Sequence, residues 1–235
     1  MKTPRHAATV RITHWITVVA FLALLVTGLE IIVSHPRFYW GETGNVMMKP
    51  LFSFPIPSSR NTVPTGYGYT MPDQNGWSRA LHFEAAWVAV LTGLVYVLWG
   101  LWRGHFRREM WPKKGERSLA AYWTVIGQSF RPGQMKGGVG SYNVVQRAAY
   151  LLVVFVLFPM IIWTGLAMSP SFTAAFPMTA ILLGGRQSAR TLHFAITVLL
   201  VLFLVVHIAM IWIAGFWNRL KPMILGKAAE PEEGA

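Results

Sequence analysis

Four stretches of this chain are apolar over lengths that water does not tolerate. They run over about 12–33, 80–102, 147–168 and 188–216. Each is long enough to cross a hydrocarbon core of roughly 30 Å at about 1.5 Å of helical rise per residue. In that medium a segment must satisfy its own backbone polar groups, so each stretch is expected to be an α-helix. The expectation is an all-α integral membrane four-helix bundle, a single transmembrane domain over residues 1–235. Only 13% of the residues are charged, where a soluble domain carries about a quarter.

The net charge of +12 invites a nucleic-acid partner, but its distribution argues for a membrane. With the N-terminus cytoplasmic, the N-terminal tail, residues 103–147 and the C-terminal tail lie inside and hold fifteen of the 21 Lys and Arg. The two outer loops hold the other six: Arg37, Lys49, Arg60, Arg79, Arg186 and Arg190. Such an excess on one side is the positive-inside pattern and predicts N-in, C-in. Membrane lipid accounts for the basic balance, and no nucleic-acid partner is expected. Residues 1–30 have the basic start and apolar run of a secretory signal but no clear small-residue cleavage site, so they read as an uncut first span. The chain has no cysteine, which excludes disulfides, iron–sulfur clusters, zinc–thiolate sites and covalent CxxCH haem attachment.

Between the spans lie loops of different character. The long first outer loop, 34–79, is rich in Pro, Gly and aromatics; its prolines argue against a regular element, and its length suggests a docking surface or lid. SLAAYWTVIGQSF in the inner loop suits an interfacial amphipathic helix. FPMTAILLGG in the second outer loop is too short to span and reads as interfacial or re-entrant, and the tail 228–235 reads as disordered. Most of the eleven Trp suit an interfacial belt, and Pro159 is expected to kink the third helix. A faint repeat relates RITHW…TGL (11–29) to QRAAY…TGL (146–166), and SRALHF (78–83) to ARTLHF (189–194), as if two related hairpins followed one another; Tyr150 stands where the first has His14.

Four of the seven histidines fall inside the spans: His14, His82, His193 and His207. An ionisable residue in hydrocarbon is costly and marks a functional site by default. His193 and His207 are fourteen residues apart, which returns them to nearly one helix face, roughly 21 Å apart along the axis. The alternating helix directions place His82 and His193 near the outer side and His14 and His207 near the inner side. Two imidazoles at one depth suit the axial positions of a haem iron, and filling both favours electron transfer over oxygen binding. Arg11, Arg79 and Arg190 each precede a histidine by three residues and share its face, where a guanidinium can hold a haem propionate. For Arg11, anchoring in the headgroups is an adequate alternative. His6, His35 and His105 lie outside the spans and read as surface residues.

This four-histidine pattern resembles the bacterial di-haem cytochrome b561 family, which includes the b-type subunits of Ni,Fe-hydrogenases and the membrane subunit of formate dehydrogenase. The resemblance covers essentially the whole chain outside the first outer loop and the C-terminal tail. It implies two haems b, held by His14 with His207 and by His82 with His193, in a subunit of the bacterial cytoplasmic (inner) membrane. Such a subunit carries electrons between the quinone pool, ubiquinone or menaquinone, and a periplasmic oxidoreductase partner. By the same resemblance, SYNVVQR supplies Tyr142, Asn143 and Gln146 to a quinone beside the inner haem; that cluster equally suits a helix start, and Val145 stands where the motif has a small residue. The first outer loop is similar to that of cytochromes that accompany periplasmic molybdopterin oxidoreductases. Two rivals remain. A stand-alone quinone-linked oxidoreductase of the superoxide oxidase kind would copurify with no partner. A His-lined metal or proton transporter would be colourless and would need intramembrane carboxylates; only Glu30 and Glu84 come near.

Overall fold

The structure is a computed structural model that describes residues 6–45, 47–55, 75–111, 118, 123, 127, 144–213 and 215–226. Loop residues 56–74, most of SLAAYWTVIGQSF, Tyr142, Asn143 and the tail 228–235 lie outside the described residues. All four apolar stretches are helices long and apolar enough to cross a membrane. Helix α1 spans Ala8–Ser34, α2 Asn75–Trp102 and α4 Arg186–Ile213. Helix α3 runs through Val144–Leu152, a π-helical turn Val153–Leu157 and Phe158–Met168.

Each end has a local cause. Helix α1 stops before His35-Pro36, since the residue preceding a proline is pushed out of the helical region. The wide turn in α3 directly precedes Pro159. That residue has no N–H to donate, and its ring crowds the carbonyl four residues back. Opening the ladder so that Phe158 N–H reaches the Val153 carbonyl absorbs the mismatch within the helix. Helix α4 ends at Ile213, three residues short of the sequence expectation, because Gly215 takes φ 90° and breaks the helical path. A further helix, α5, follows over Phe216–Leu225 and closes on Gly226 at φ 72°, the left-handed cap that glycine adopts without steric cost.

Residue contacts divide the chain into two compact units. One comprises Met1–Ile12, Val95–Pro159 and Leu199–Ala235; it contains His207 and is called the His207 unit below. The other, the His82 unit, comprises Thr13–Leu94 and Met160–Val198. The buried positions of the His82 unit are mostly small: Ala20, Thr27, Ser34, Ser78, Ala85, Ala89, Thr164, Ala167 and Ala189. Large residues such as Val19, Leu22, Leu91 and Val198 are exposed. That inversion suits helices in lipid, where small residues let backbones approach closely and large apolar ones face the tails. In the His207 unit, Phe106 lies against Gly100 and packs edge-on to Phe155.

The loop after α1 carries a short regular element that its prolines argued against. Arg37–Phe38 (β1) pairs antiparallel with Phe52–Ser53 (β2), in the register Arg37 to Ser53 and Phe38 to Phe52. Pro36, Pro50 and Pro55 all fall outside the paired residues, so none removes a ladder donor. Phe38 is fully buried, stacks on Phe52 at 4.6 Å and meets Phe194 of α4 at 4.8 Å. The ribbon therefore rests on the residue next to His193. Residues 41–42 clasp the start of α4: the Gly41 carbonyl accepts from Gln187 and Ser188 N–H, and Glu42 accepts from Arg186 N–H. In the second loop, Trp163 Nε1–H donates to the Thr179 carbonyl and ties down the short helix Met178–Ile181, too brief to span.

Candidate functional site

The His82 unit brings together two of the four intramembrane histidines. His82 on α2 and His193 on α4 face each other with ring centroids 6.4 Å apart and planes inclined by 58°. Each is held from behind by a fully buried threonine on the preceding helix. Thr27 Oγ1 on α1 lies 2.9 Å from His82 Nδ1, and Thr164 Oγ1 on α3 lies 2.9 Å from His193 Nδ1. The glycine after each threonine lies beside the ring: a Cβ on Gly28 would make ordinary van der Waals contact with His82 Cε1 at 3.7 Å, and one on Gly165 with His193 Cε1 at 3.5 Å. These four residues were not picked out from the sequence. Their signal was the repeated TGL of the two hairpins, which supplies Thr-Gly on the first helix while LHF supplies the histidine on the second.

The separation of the rings tests what can lie between them. An imidazole nitrogen binds a transition metal at about 2.0–2.1 Å and lies about 1.1 Å from its ring centre, so two imidazoles on opposite sides of one ion place their centroids about 6.2–6.4 Å apart. The observed 6.4 Å fits one metal ion between the rings. Among the described residues no group of three or more His, Asp or Glu converges as a metal site. Two imidazoles without further protein donors suit a metal whose other four ligands come from elsewhere, as a porphyrin provides. With both Nδ1 atoms engaged by threonine, Nε2 is the nitrogen each ring can offer.

Two of the three arginines expected at propionates, Arg190 and Arg11, have backbone partners. Arg190 Nη1 donates to the Arg37 carbonyl at 3.1 Å and Nη2 to the His35 carbonyl, with the guanidinium 4.8 Å from the centre of the Phe38 ring. It thereby fixes the turn between α1 and β1. Arg79 is exposed on α2. His35, read from sequence as a surface residue, is part-buried; burial holds its pKa below the ordinary value, and the Arg190 and Arg79 charges add to the effect. Arg11 Nη1 donates to the Ile224 carbonyl at 2.9 Å, and its guanidinium occupies the space a Cβ on Gly226 would need. Arg11 thus caps the end of α5.

The remaining candidates divide between the units. His14, on α1 in the His82 unit, meets the Trp15 ring edge-on at 5.4 Å. His207, on α4 in the His207 unit, stacks on Phe203 at 5.6 Å and meets Tyr150 at 6.2 Å. Gln146 is part-buried at the start of α3, while Tyr142 and Asn143 lie outside the described residues. His105 is half-buried among Tyr96, Trp99 and Phe106 rather than on the surface. Its pKa is lowered by burial, partly offset by the Glu109 charge.

With this geometry in hand, comparison with known proteins is informative. The sequence model of the prokaryotic cytochrome b561 family matches residues 5–226. The chain belongs to that family. A relative from Azospira oryzae that bears the name protein-methionine-sulfoxide reductase subunit YedZ1 is 29% identical over 211 residues, which cover 88% of this chain and 89% of the relative. No solved structure matches. As a member of the cytochrome b561 family, the protein is an integral membrane b-type cytochrome that transfers electrons.

Proposed function

We propose that this cytochrome holds two haems b, one between His82 and His193 and one between His14 and His207, and carries electrons between a membrane quinone and a periplasmic oxidoreductase. The observation that carries the reading is the 6.4 Å separation of the His82 and His193 rings, which matches two axial ligands on one iron. The second site rests on the depth argument alone: both residues belong near the inner side if the termini are cytoplasmic. When bound, haem would supply a one-electron iron couple, and His82 and His193 are the residues that would hold it in this unit. The chain's own contribution is positional. Helices α2 and α4 hold the two imidazoles, and Thr27 and Thr164 orient them.

The excess of Lys and Arg on the N-terminal, middle and C-terminal segments supports an N-in, C-in orientation in a bacterial inner membrane. The relative's name as a reductase subunit supports a partner enzyme, which we take to be periplasmic and molybdopterin-dependent. The clasped ribbon of residues 36–54 offers it a formed surface with Trp40, Met47 and Leu51 exposed. On the inner side, amides of Asn143 and Gln146, with the Tyr142 hydroxyl, are suited to donate to the carbonyls of ubiquinone or menaquinone.

Haem counting of the purified protein tests the ligands. The parent should hold two haems per chain, His82→Ala or His193→Ala one, and His14→Ala or His207→Ala the other one alone. A His82→Ala/His193→Ala double variant that retained both haems would refute the assignment.

A further inference from the structure

The threonines behind the ligands are placed to do more than fill space. A hydroxyl carries one proton and two acceptor lone pairs. Thr27 Oγ1 lies 2.7 Å from the Ala23 carbonyl and 3.2 Å from that of Leu24, inside its own helix. Thr164 repeats the arrangement with the Met160 and Ile161 carbonyls at 2.8 and 3.0 Å. Those helix carbonyls can only accept, so they take the hydroxyl proton. The oxygen left facing His82 or His193 then accepts from the ring. A neutral imidazole has one N–H; with that N–H at Nδ1, the lone pair is at Nε2, the nitrogen turned away from the threonine. The opposite direction, Thr donating to Nδ1, would put the proton on Nε2 and bar it from a metal. Both threonines have 0% exposure, so water does not compete for these bonds.

We infer that Thr27 and Thr164 are positioning residues of the site between His82 and His193: each holds its histidine in the Nδ1–H tautomer, aims Nε2 at the iron and enriches the ring in electrons. The inference rests on the reading of these histidines as haem ligands. An imidazole that donates a hydrogen bond is the stronger ligand, and a stronger ligand favours ferric over ferrous iron. The pair therefore lowers the midpoint potential of this haem, and the two halves act alike because the repeat places them alike.

The test replaces each hydroxyl by a methyl group of the same shape, Thr27→Val and Thr164→Val, with Thr27→Ser and Thr164→Ser as conservative partners. Full-length protein in detergent is titrated potentiometrically, its haem counted, and its ferric low-spin electron paramagnetic resonance spectrum recorded. Each Val variant should keep two haems while one midpoint rises. A tenfold loss of preference for ferric iron, the lower end of what outer-shell partners contribute, corresponds to about 59 mV. The g-values of that haem should move with it, and Ser should restore both. A Val variant with unchanged midpoint and g-values overturns the inference. Should a Val variant lose the haem outright, the Ser variant decides: haem retained at the parent midpoint supports it, haem lost in both overturns it. If His82→Ala keeps both haems, the ligand assignment fails. If it loses one haem and Thr→Val moves nothing, the inference alone fails.

Discussion

Gly185 is the position where one added methyl group should separate the β1–β2 ribbon from α4. Its φ is +112°, and an added Cβ would sit 2.5 Å from the carbonyl carbon and oxygen of Gly41 and from Glu42 N. All three are backbone atoms, which cannot rotate aside. Backbone strain of this kind costs about 1–3 kcal/mol, and overpacking against a fixed neighbour about another 1–3 kcal/mol. Opposing that is the clasp: Gln187 and Ser188 N–H on the Gly41 carbonyl at 3.0 and 3.2 Å, Gly41 N–H on Ser188 Oγ at 2.7 Å, and Arg186 N–H on Glu42 Oε2 at 3.0 Å. At about 0.5–1.5 kcal/mol each, these bonds contribute a similar total. The Arg186–Glu42 ion pair is half-exposed and adds little. The lower-cost response to Gly185→Ala is thus for residues 41–42 to lift off, while Thr191 Oγ1–H keeps its bond to the buried Tyr39 carbonyl. A local loss of about 2 kcal/mol speeds hydrogen exchange about thirtyfold. Exchange mass spectrometry should find that increase at Gly41 and Arg186–Ser188, with haem content unchanged. Gly184→Ala is the control: φ is +81°, but the nearest atom to its Cβ is Ser188 Oγ at 3.4 Å, so its effect should be smaller. Exchange in Gly185→Ala within threefold of the parent would refute the reasoning.

Two further outcomes follow from the charged residues. His35 has its pKa depressed below 6.5 in the folded protein, so between that depressed value and 6.5 the unfolded chain binds the extra proton; stability should fall as pH drops through 6.5 and level off below the folded value. His35→Gln should flatten that limb of a melting-temperature profile taken between pH 5 and 8, and an unchanged limb would show that His35 does not contribute. Arg11→Met should loosen the end of α5 by about 1 kcal/mol and speed tryptic cleavage at Arg219, with both haems kept; loss of a haem would instead give Arg11 a propionate role.

The spans were legible because a bilayer leaves a chain so few options: long apolar runs must be helices, and their ends are set by Pro and Gly, which sequence also shows. The four histidines stand out in the sequence because each is costly where it stands, and the structure brings His82 and His193 together. Thr27 and Thr164 were not legible, although TGL was visible twice, because Thr and Gly are ordinary residues in membrane helices. Only the packing of α1 on α2, and of α3 on α4, reveals which imidazole each hydroxyl meets. The ribbon was hidden for a related reason. Prolines were counted against any strand, whereas what matters is whether they occupy paired positions, and Pro36, Pro50 and Pro55 do not. Arg190 looked like an anion holder because cations are scarce on the outer side; its bonds to the His35 and Arg37 carbonyls show a role in the turn between α1 and β1 that the sequence did not suggest.

The internal repeat bears on the two proposed sites unequally. Thr-Gly followed by a histidine on the next helix occurs in both hairpins, so His82 and His193 are equivalent residues of two halves, and a ligand between them meets matched surroundings: 2.9 Å to a threonine on each side, and a glycine beside each ring. His14 and His207 have no such relation. One is on the first helix of the first hairpin and the other on the second helix of the second, and the repeat places Tyr150, a ring neighbour of His207, where its partner hairpin has His14. A repeated hairpin accounts for the likeness of the first pair, since the same Thr-Gly and Leu-His-Phe segments occur in both halves. The second pair requires that the halves diverged, with Tyr150 on one side and His14 on the other. Equal midpoint shifts in Thr27→Val and Thr164→Val would therefore reflect the repeat itself, and markedly unequal ones would mean that the halves have diverged at this site as well.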